Sequence, residues 1–289
     1  MQSLKREFGE NLQTLGCFLL NDCLSASTVS SVHEALERLF RKSPAEKAVF
    51  GVDKRADPLG AGFSPYGVAR AIDTGIPNLL ETWDIGTSPK RWPDDLLAEW
   101  HVFSVYQRDL RAIATKALTL ISAALDCDSS TLTSLVDAVD GGLHLIHYFP
   151  LPTDVVAGAR RQSEHCDNTL VTLIPPPYPT STGISVFDRS ASRWEDIIIG
   201  KDQCLIQSGL LLQRITANSI TANLHTVRNP EINSPANVSR YSTPFFLSPR
   251  GNKVLSLLPP FQSDETRKQF PDIAVKDLQA SYFARIFRK

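Results

Sequence analysis

Apolar residues recur along this chain with two periods. Up to about residue 142 the period is helical. Residues 4–15 mix charged and apolar positions in the manner of an amphipathic helix. The run Gly16-Cys17-Phe18-Leu19-Leu20 predicts a short buried strand. Ser25 or Ser27 stands where a helix reaching about Lys42 would be capped, with Val29, Val32, Ala35, Leu36 and Leu39 on one face. After Pro93, a stripe of Leu96, Trp100, Phe103, Tyr106, Leu110, Ile113, Ala117, Leu120 and Ala124 recurs at steps of three and four, and should pack on a sheet. Between these helices, residues 51–78 are rich in Gly, Pro and Asp and predict loops over one end of the fold.

From Leu143 the texture becomes that of strands. Short runs at 143–149, 170–174, 183–187, 194–199, 204–208, 222–227, 239–247 and 254–258 are separated by Pro, Gly, Asn and Ser clusters. About eight short strands fit a double-sheet jelly roll, the architecture shared with the cupins. Residues 275–287 return to a helical period. The expected fold is mainly β with flanking helices (α+β), in one domain over 1–289. Residues 1–142 form mostly helical support, 143–260 the jelly-roll core and 261–289 a C-terminal helix.

Composition narrows the function classes. At 289 residues the chain is long enough for a large core, and 42% hydrophobic with 21% charged residues is ordinary for a globular protein. A net charge of −1 argues against a nucleic-acid partner, because there is no basic excess to neutralise phosphates. Five cysteines without CxxC spacing read as reduced thiols. No apolar run is long enough to span a bilayer, and the first residues lack a signal-peptide core. The expectation is a cytoplasmic protein, monomeric or weakly dimeric, with a small-molecule partner.

Candidate chemistry lies in His165-Cys166-Asp167 and His225. In extended backbone, residues two apart share a side, so His165 and Asp167 face into a barrel while Cys166 faces away. A later strand brings His225 across. Two imidazoles and a carboxylate hold one face of a non-haem Fe(II) ion and leave positions open for small molecules. Arg240 and Ser242 share parity in one strand. A guanidinium donates two parallel hydrogen bonds to a carboxylate, so this pair suits an acidic cosubstrate, with a structural salt bridge as the plain alternative. Of the other histidines, His33 and His101 read as structural. His144 and His147 lie on the first strand of the roll, where His147 is the one weighed as facing the site.

These residues resemble the isopenicillin N synthase-like Fe(II)/2-oxoglutarate dioxygenases. Residues 164–174, Glu164 to Ile174, resemble that family's HxD-x3-(L/V)-T-(L/I)-L segment. Leu211-Leu212-Gln213-Arg214-Ile215-Thr216-Ala217-Asn218 looks like its M-L-Q-R-x-T-N-G stretch. Leu224-His225-Thr226-Val227 is similar to its L-H-R-V, and residues 240–246 match its R-(Y/I)-S-x-x-F-F. Residues 15–20 and 81–86 resemble its V-G-F-F and K-E-x-F-D-I-G, so the likeness covers nearly the whole chain. It implies a double-stranded β-helix, Fe(II) on His165, Asp167 and His225, and the distal carboxylate of 2-oxoglutarate on Arg240 and Ser242.

Three departures stand beside the likeness. The family's opening I-P-x-I-D strand has no match, this chain beginning after it. The Asn and Tyr of its N-x-Y-P fall on His147 and Phe149, unless the register shifts and Tyr148 serves. Its G-D before M-L is Gly209-Leu210 here. The implied activity consumes dioxygen and 2-oxoglutarate, releases succinate and carbon dioxide, and oxidises an unactivated C–H bond of a small specialised or amino-acid-derived metabolite. The outcome is hydroxylation, desaturation or ring closure. The loop at 61–66 and the C-terminal helix stand where lids lie in this family, and Arg70, Arg160 and Arg161 are candidates to meet an acidic substrate. Alternatives are an isopenicillin N synthase-type oxidase that uses no 2-oxoglutarate, and a non-enzymatic binding protein of the same fold. A zinc hydrolase is disfavoured, because no H-E-x-x-H supplies a base.

Overall fold

The computed structural model describes residues 9–86, 89–179 and 183–287. Of the expected first helix, residues 9–14 are helical and 4–8 lie outside the described residues. Strand β1 (Cys17–Leu20) follows; only Cys17 of it is fully buried, because the strand lies at a sheet edge. Helix α1 (Ala26–Arg41) is capped by Ser25, whose side chain accepts the Thr28 amide N–H. It buries Val32, Ala35, Leu36 and Leu39, as the pattern predicts. A short helix α2 (Pro44–Ala48) precedes strands β2 (Gly62–Ser64) and β3 (Leu80–Asp84). These three strands join the main sheet, so the N-terminal part adds sheet as well as helical support.

Helix α3 (Leu97–Ala124) buries Phe103, Tyr106, Leu110, Ala114, Ala117, Leu118 and Ile121. The expected stripe starts correctly but drifts, since Leu120 is 39% exposed while Leu118 and Ile121 are sealed. The cause is geometric: steps averaging 3.5 residues rotate off the face of a straight helix with about 3.6 residues per turn.

The remaining elements are β4 (Gly142–Tyr148), β5 (Gln162–His165), β6 (Val171–Ile174), β7 (Ile184–Asp188), β8 (Arg193–Ile197), β9 (Cys204–Ser208), α4 (Leu210–Ile215), β10 (His225–Val227), β11 (Arg240–Ser242), β12 (Phe245–Leu247), β13 (Val254–Leu255), α5 (Asp264–Gln269), β14 (Ile273–Ala274) and α6 (Val275–Ile286). The expected run 239–247 divides at Thr243-Pro244, and proline cannot donate to the ladder there.

Among the described residues two antiparallel sheets form the jelly roll. The larger runs β1-β9-β6-β12-β4-β3-β2 with β11 also on β4, and the smaller runs β5-β10-β7-β8. Side-chain parity in the large sheet decides everything that follows. In β3, β4, β6, β11 and β12 the even-numbered residues look into the space between the sheets. Odd-numbered Trp83, Leu143, Leu145, Leu173 and Phe245 turn outward under α1 and α3, where they are completely buried. Each such side chain contributes about 1.5–3 kcal/mol by burial, so the helices clamp the sheet that carries the site. No described helix is long and apolar enough to cross a membrane. All five cysteines are free thiols.

Candidate active site

His165 ends β5, and His225 begins β10 directly opposite it in the antiparallel register. Their rings lie 4.2 Å apart, centroid to centroid. Asp167 stands just past the end of β5, in a turn held by the start of α4: Leu210 N–H donates to the Asp167 carbonyl at 2.8 Å and Gly209 N–H to that of Leu170 at 3.0 Å. A side chain at Gly209 would come within 2.2 Å of the Thr169 carbonyl oxygen, so glycine is required for this approach. The local sequence thus bends the chain immediately after the histidine and turns the carboxylate back toward it.

One ligand atom from each of His165, Asp167 and His225 lies within 4.8 Å of the other two. His165 Nε2 is 3.5 Å from Asp167 Oδ1. Two donors bonded to one ion at about 2.1 Å would stand roughly 3 Å apart, so the set needs little adjustment to close on a metal. The imidazoles are oriented alike. His165 Nδ1 meets the Ser163 carbonyl at 2.8 Å, and His225 Nδ1 meets the Asn223 carbonyl at 3.2 Å. A carbonyl only accepts, so each Nδ1 carries the proton and each Nε2 presents its lone pair inward.

Burial works against charge on all three residues. His225 yields to it, and with His165 alongside its pKa falls to about 4. Burial would raise the Asp167 carboxyl, but the imidazoles of His225 and His165 and the Thr172 hydroxyl bring it down to about 2. Burial would likewise lower His165, yet its contacts with Asp167 and the Ser163 carbonyl raise it. An ionised carboxylate and a neutral imidazole are the forms that ligate a divalent metal.

The floor of the site is a ladder across β3, β4 and β11. The deepest rung is Leu80, Tyr148 and Arg240, and the next is Thr82, Ile146 and Ser242. Arg240 is 1% exposed, and its guanidinium lies 5.1 Å over the Tyr148 ring. Burial lowers the Arg240 pKa, and the neighbouring Tyr148 phenol opposes that. A guanidinium and a hydroxyl side by side at the end of a cavity make a fork for a carboxylate.

His147 is not part of this floor. Its odd position turns it outward, where Nδ1 meets Glu81 Oε1 at 2.9 Å and Nε2 meets Ser239 Oγ at 2.9 Å. The inward places belong to Ile146 and Tyr148, so the register shift is the arrangement found. His144, given little weight in the sequence, is the histidine of β4 that faces inward. Alternation along β4 groups His144 with the inward even positions, whereas the N-x-Y-P likeness falls on the outward odd ones.

No family model matches the chain. The 2-oxoglutarate-Fe(II) type oxidoreductase ppzD of Metarhizium rileyi is 26% identical over a 299-residue alignment that covers 93% of this chain and 82% of the relative. The 2-oxoglutarate-Fe(II) type oxidoreductase hxnY of Emericella nidulans is 24% identical, covering 86% and 74%. The crystal structure of a full-length Neurospora crassa protein in complex with alpha-KG has the same fold, with a TM-score of 0.84 at 20% identity over 98% of this chain and 90% of that one.

Over most of its length the chain is similar to Fe(II)/2-oxoglutarate-dependent oxidoreductases. The cavity, roughly 250 Å³, extends from the ligand triad toward α6. Tyr282 of α6 donates its hydroxyl to the carbonyl of Cys166, between the two clustered residues, at 2.7 Å. Phe283, Ile286 and Phe287 complete that wall, and Arg55 Nε donates to the Phe287 carbonyl at 3.2 Å. The C-terminal helix lines the cavity together with the loop residues Lys54, Pro58 and Leu59; of the expected 61–66 loop, residues 62–64 form β2 and only Ser64 lines the cavity. Asn168, beside Asp167, also lines the cavity, and its buried Nδ2 makes no hydrogen bond among the described residues.

Arg70, Arg160 and Arg161 do not line this cavity. Arg70 donates to the Gly75 carbonyl, Arg160 pairs with Glu164, and buried Arg161 donates to the Val238 carbonyl. Loop carbonyls and a surface carboxylate occupy the guanidiniums that the sequence offered for an acidic substrate.

Proposed function

We propose that His165, Asp167 and His225 bind Fe(II), that Arg240 and Ser242 hold the distal carboxylate of 2-oxoglutarate, and that the enzyme oxidises an unactivated C–H bond of a small specialised or amino-acid-derived metabolite. The observation that carries this reading is the convergence of the three ligand atoms, with both Nδ1 protons spent on backbone carbonyls so that both Nε2 lone pairs point to one place.

Bound Fe(II) and 2-oxoglutarate supply oxidising power from dioxygen as the keto acid is decarboxylated to succinate. The chain supplies the rest. Arg240 and Ser242 fix one end of the cosubstrate and so set where its keto acid reaches the triad. Tyr148 shields the guanidinium from water. Apolar Ile146, Pro244, Phe246 and Phe283 line the path outward and keep the site dry. Substrate placement among these walls selects which hydrogen is removed and whether hydroxylation, desaturation or ring closure follows.

The test is an anaerobic crystal soak with Mn(II) and 2-oxoglutarate, joined to a count of succinate formed per substrate oxidised. Density for a metal on the triad, a carboxylate on Arg240 and a ratio of one support the proposal. Oxidation without succinate would assign the chain to the isopenicillin N synthase-type oxidases. Tyr148, rather than residue 147 or 149, lines the cavity, which supports the 2-oxoglutarate reading over that alternative.

A further inference from the structure

The third rung of the ladder, Asp84 opposite His144, lies beyond the proposed cosubstrate floor. Along β4, His144 is four residues, about 13 Å, from Tyr148, so it stands away from the Arg240 floor. The strand pair β3/β4 carries a second acid–histidine pair, Glu81 opposite His147. Positions 81 and 84 differ in parity, so the two pairs occupy opposite faces of one sheet. Each is joined by a lysine: Lys47 Nζ is 2.6 Å from Glu81 Oε1, and Lys54 Nζ is 2.7 Å from Asp84 Oδ2.

The outward triad is closed. His147 uses both ring nitrogens, on Glu81 and Ser239, and Lys47 also donates to the Phe40 carbonyl. The inward triad is closed at one end only. Lys54 donates to the Gly60 carbonyl at 2.7 Å and the Pro58 carbonyl at 3.4 Å, and pairs with the Asp84 carboxylate. Asp84 Oδ1 takes His144 Nδ1 at 2.7 Å. The carboxylate only accepts, so Nδ1 carries a proton and Nε2 is the ring nitrogen left for another partner. Among the described residues that Nε2 has no hydrogen bond, while His144 lines the cavity and its ring packs 5.7 Å from that of Phe246. The orientation is imposed by a lysine-anchored carboxylate, and the unspent atom belongs to the cavity.

We infer that His144 is a specificity-determining residue, whose Nε2 accepts a hydrogen bond from an O–H or N–H group at the end of the substrate remote from the Arg240 floor. The ligand class is a small neutral molecule with an apolar body, packed by Leu59, Pro244, Phe246 and Phe283, and one hydroxyl or N–H donor. Lys54 and Asp84 cancel in charge, so nothing in this triad favours an anion. Calling the ligand a substrate rests on the function proposed above.

The experiment is calorimetric titration of the full chain with 2-naphthol, naphthalene and 2-naphthoate, run with Mn(II) and 2-oxoglutarate and again without them. These probes share one ring system and differ in donor and charge. The expected result is that 2-naphthol binds at least tenfold tighter than either of the others. His144→Phe should bring its affinity down to that of naphthalene and leave naphthalene unchanged. Should that variant not fold, the nitrogen resonance of His144 Nε2 in the wild-type chain must shift when 2-naphthol is added. Equal affinities, no binding of either neutral probe, tighter 2-naphthoate binding, an unmoved resonance, or a preference that survives His144→Phe would overturn the inference. Absence of Mn(II) heat with the 2-naphthol preference intact would defeat the metal proposal alone.

Discussion

His165 and His225 face each other in register across neighbouring antiparallel strands, and each is held by the carbonyl of the residue two before it. A backbone device therefore sets both tautomers, and no other side chain is needed to aim the two Nε2 atoms. In the metal-free chain the same arrangement crowds two imidazoles beside a buried carboxylate.

Metal binding should accordingly stabilise the fold. Mn(II) at a hundred times its dissociation constant should add about 2.7 kcal/mol to unfolding. Excess chelator should reverse the gain, and His225→Ala should show no metal-dependent change. Thermal melts with and without Mn(II) and chelator check this, and an undiminished shift in the variant would remove His225 from the ligand set.

Arg240→Lys keeps the charge but loses the two-pronged geometry. The KM for 2-oxoglutarate should rise roughly 10- to 100-fold with a smaller change in kcat, and Arg240→Met should cost more than Arg240→Lys. Steady-state kinetics at saturating substrate give the answer; a normal KM in both variants would place the cosubstrate carboxylate elsewhere.

Acid should destabilise the protein through Asp84. Burial pushes its carboxyl up, but His144 and Lys54 outweigh that and hold it at about 2, below the ordinary 3.8. As pH falls below about 4 the unfolded chain takes up this proton before the folded chain does. The stabilisation, on the order of 2 kcal/mol, is complete above that range and is lost progressively toward pH 2. Asp84→Asn should lower stability at pH 7 and flatten the acid limb of the stability curve without abolishing it, because Asp167 also sits at about 2. Urea melts from pH 2 to 7 would show an unchanged limb if the carboxylate were not so held.

Glu81→Gln removes the counter-charge of Lys47, which is 4% exposed. A buried ammonium left without a partner charge should cost about 3–5 kcal/mol. Because this triad faces the helices, Mn(II) affinity should stay within a few-fold of wild type. Chemical denaturation and metal titration separate the two effects; a large loss of metal affinity at unchanged stability would contradict the division of the faces.

Local pattern was sufficient for what depends on neighbours in the chain. A serine cap at 25 or 27, the start of the α3 stripe and the 204–208 strand follow from spacing, because hydrogen bonding and amphipathicity repeat over a few residues; strands β2 and β3, which lie before residue 142, do not. The shared parity of Arg240 and Ser242, and of His165 and Asp167, is readable for the same reason; His225, sixty residues on, is reached through the family resemblance, and the fold brings it to the other two ligands. Pairing decided the rest. Only the register of β3 on β4 opposes Asp84 to His144 and Glu81 to His147, and only the helices packed on one face determine which pair is sealed. Lys47 reaches its carboxylate from α2 and Lys54 reaches the other from a turn, both about thirty residues away in the chain, so no spacing announces them. A strand's own period says which residues share a side; which side becomes the cavity is settled by what folds over it.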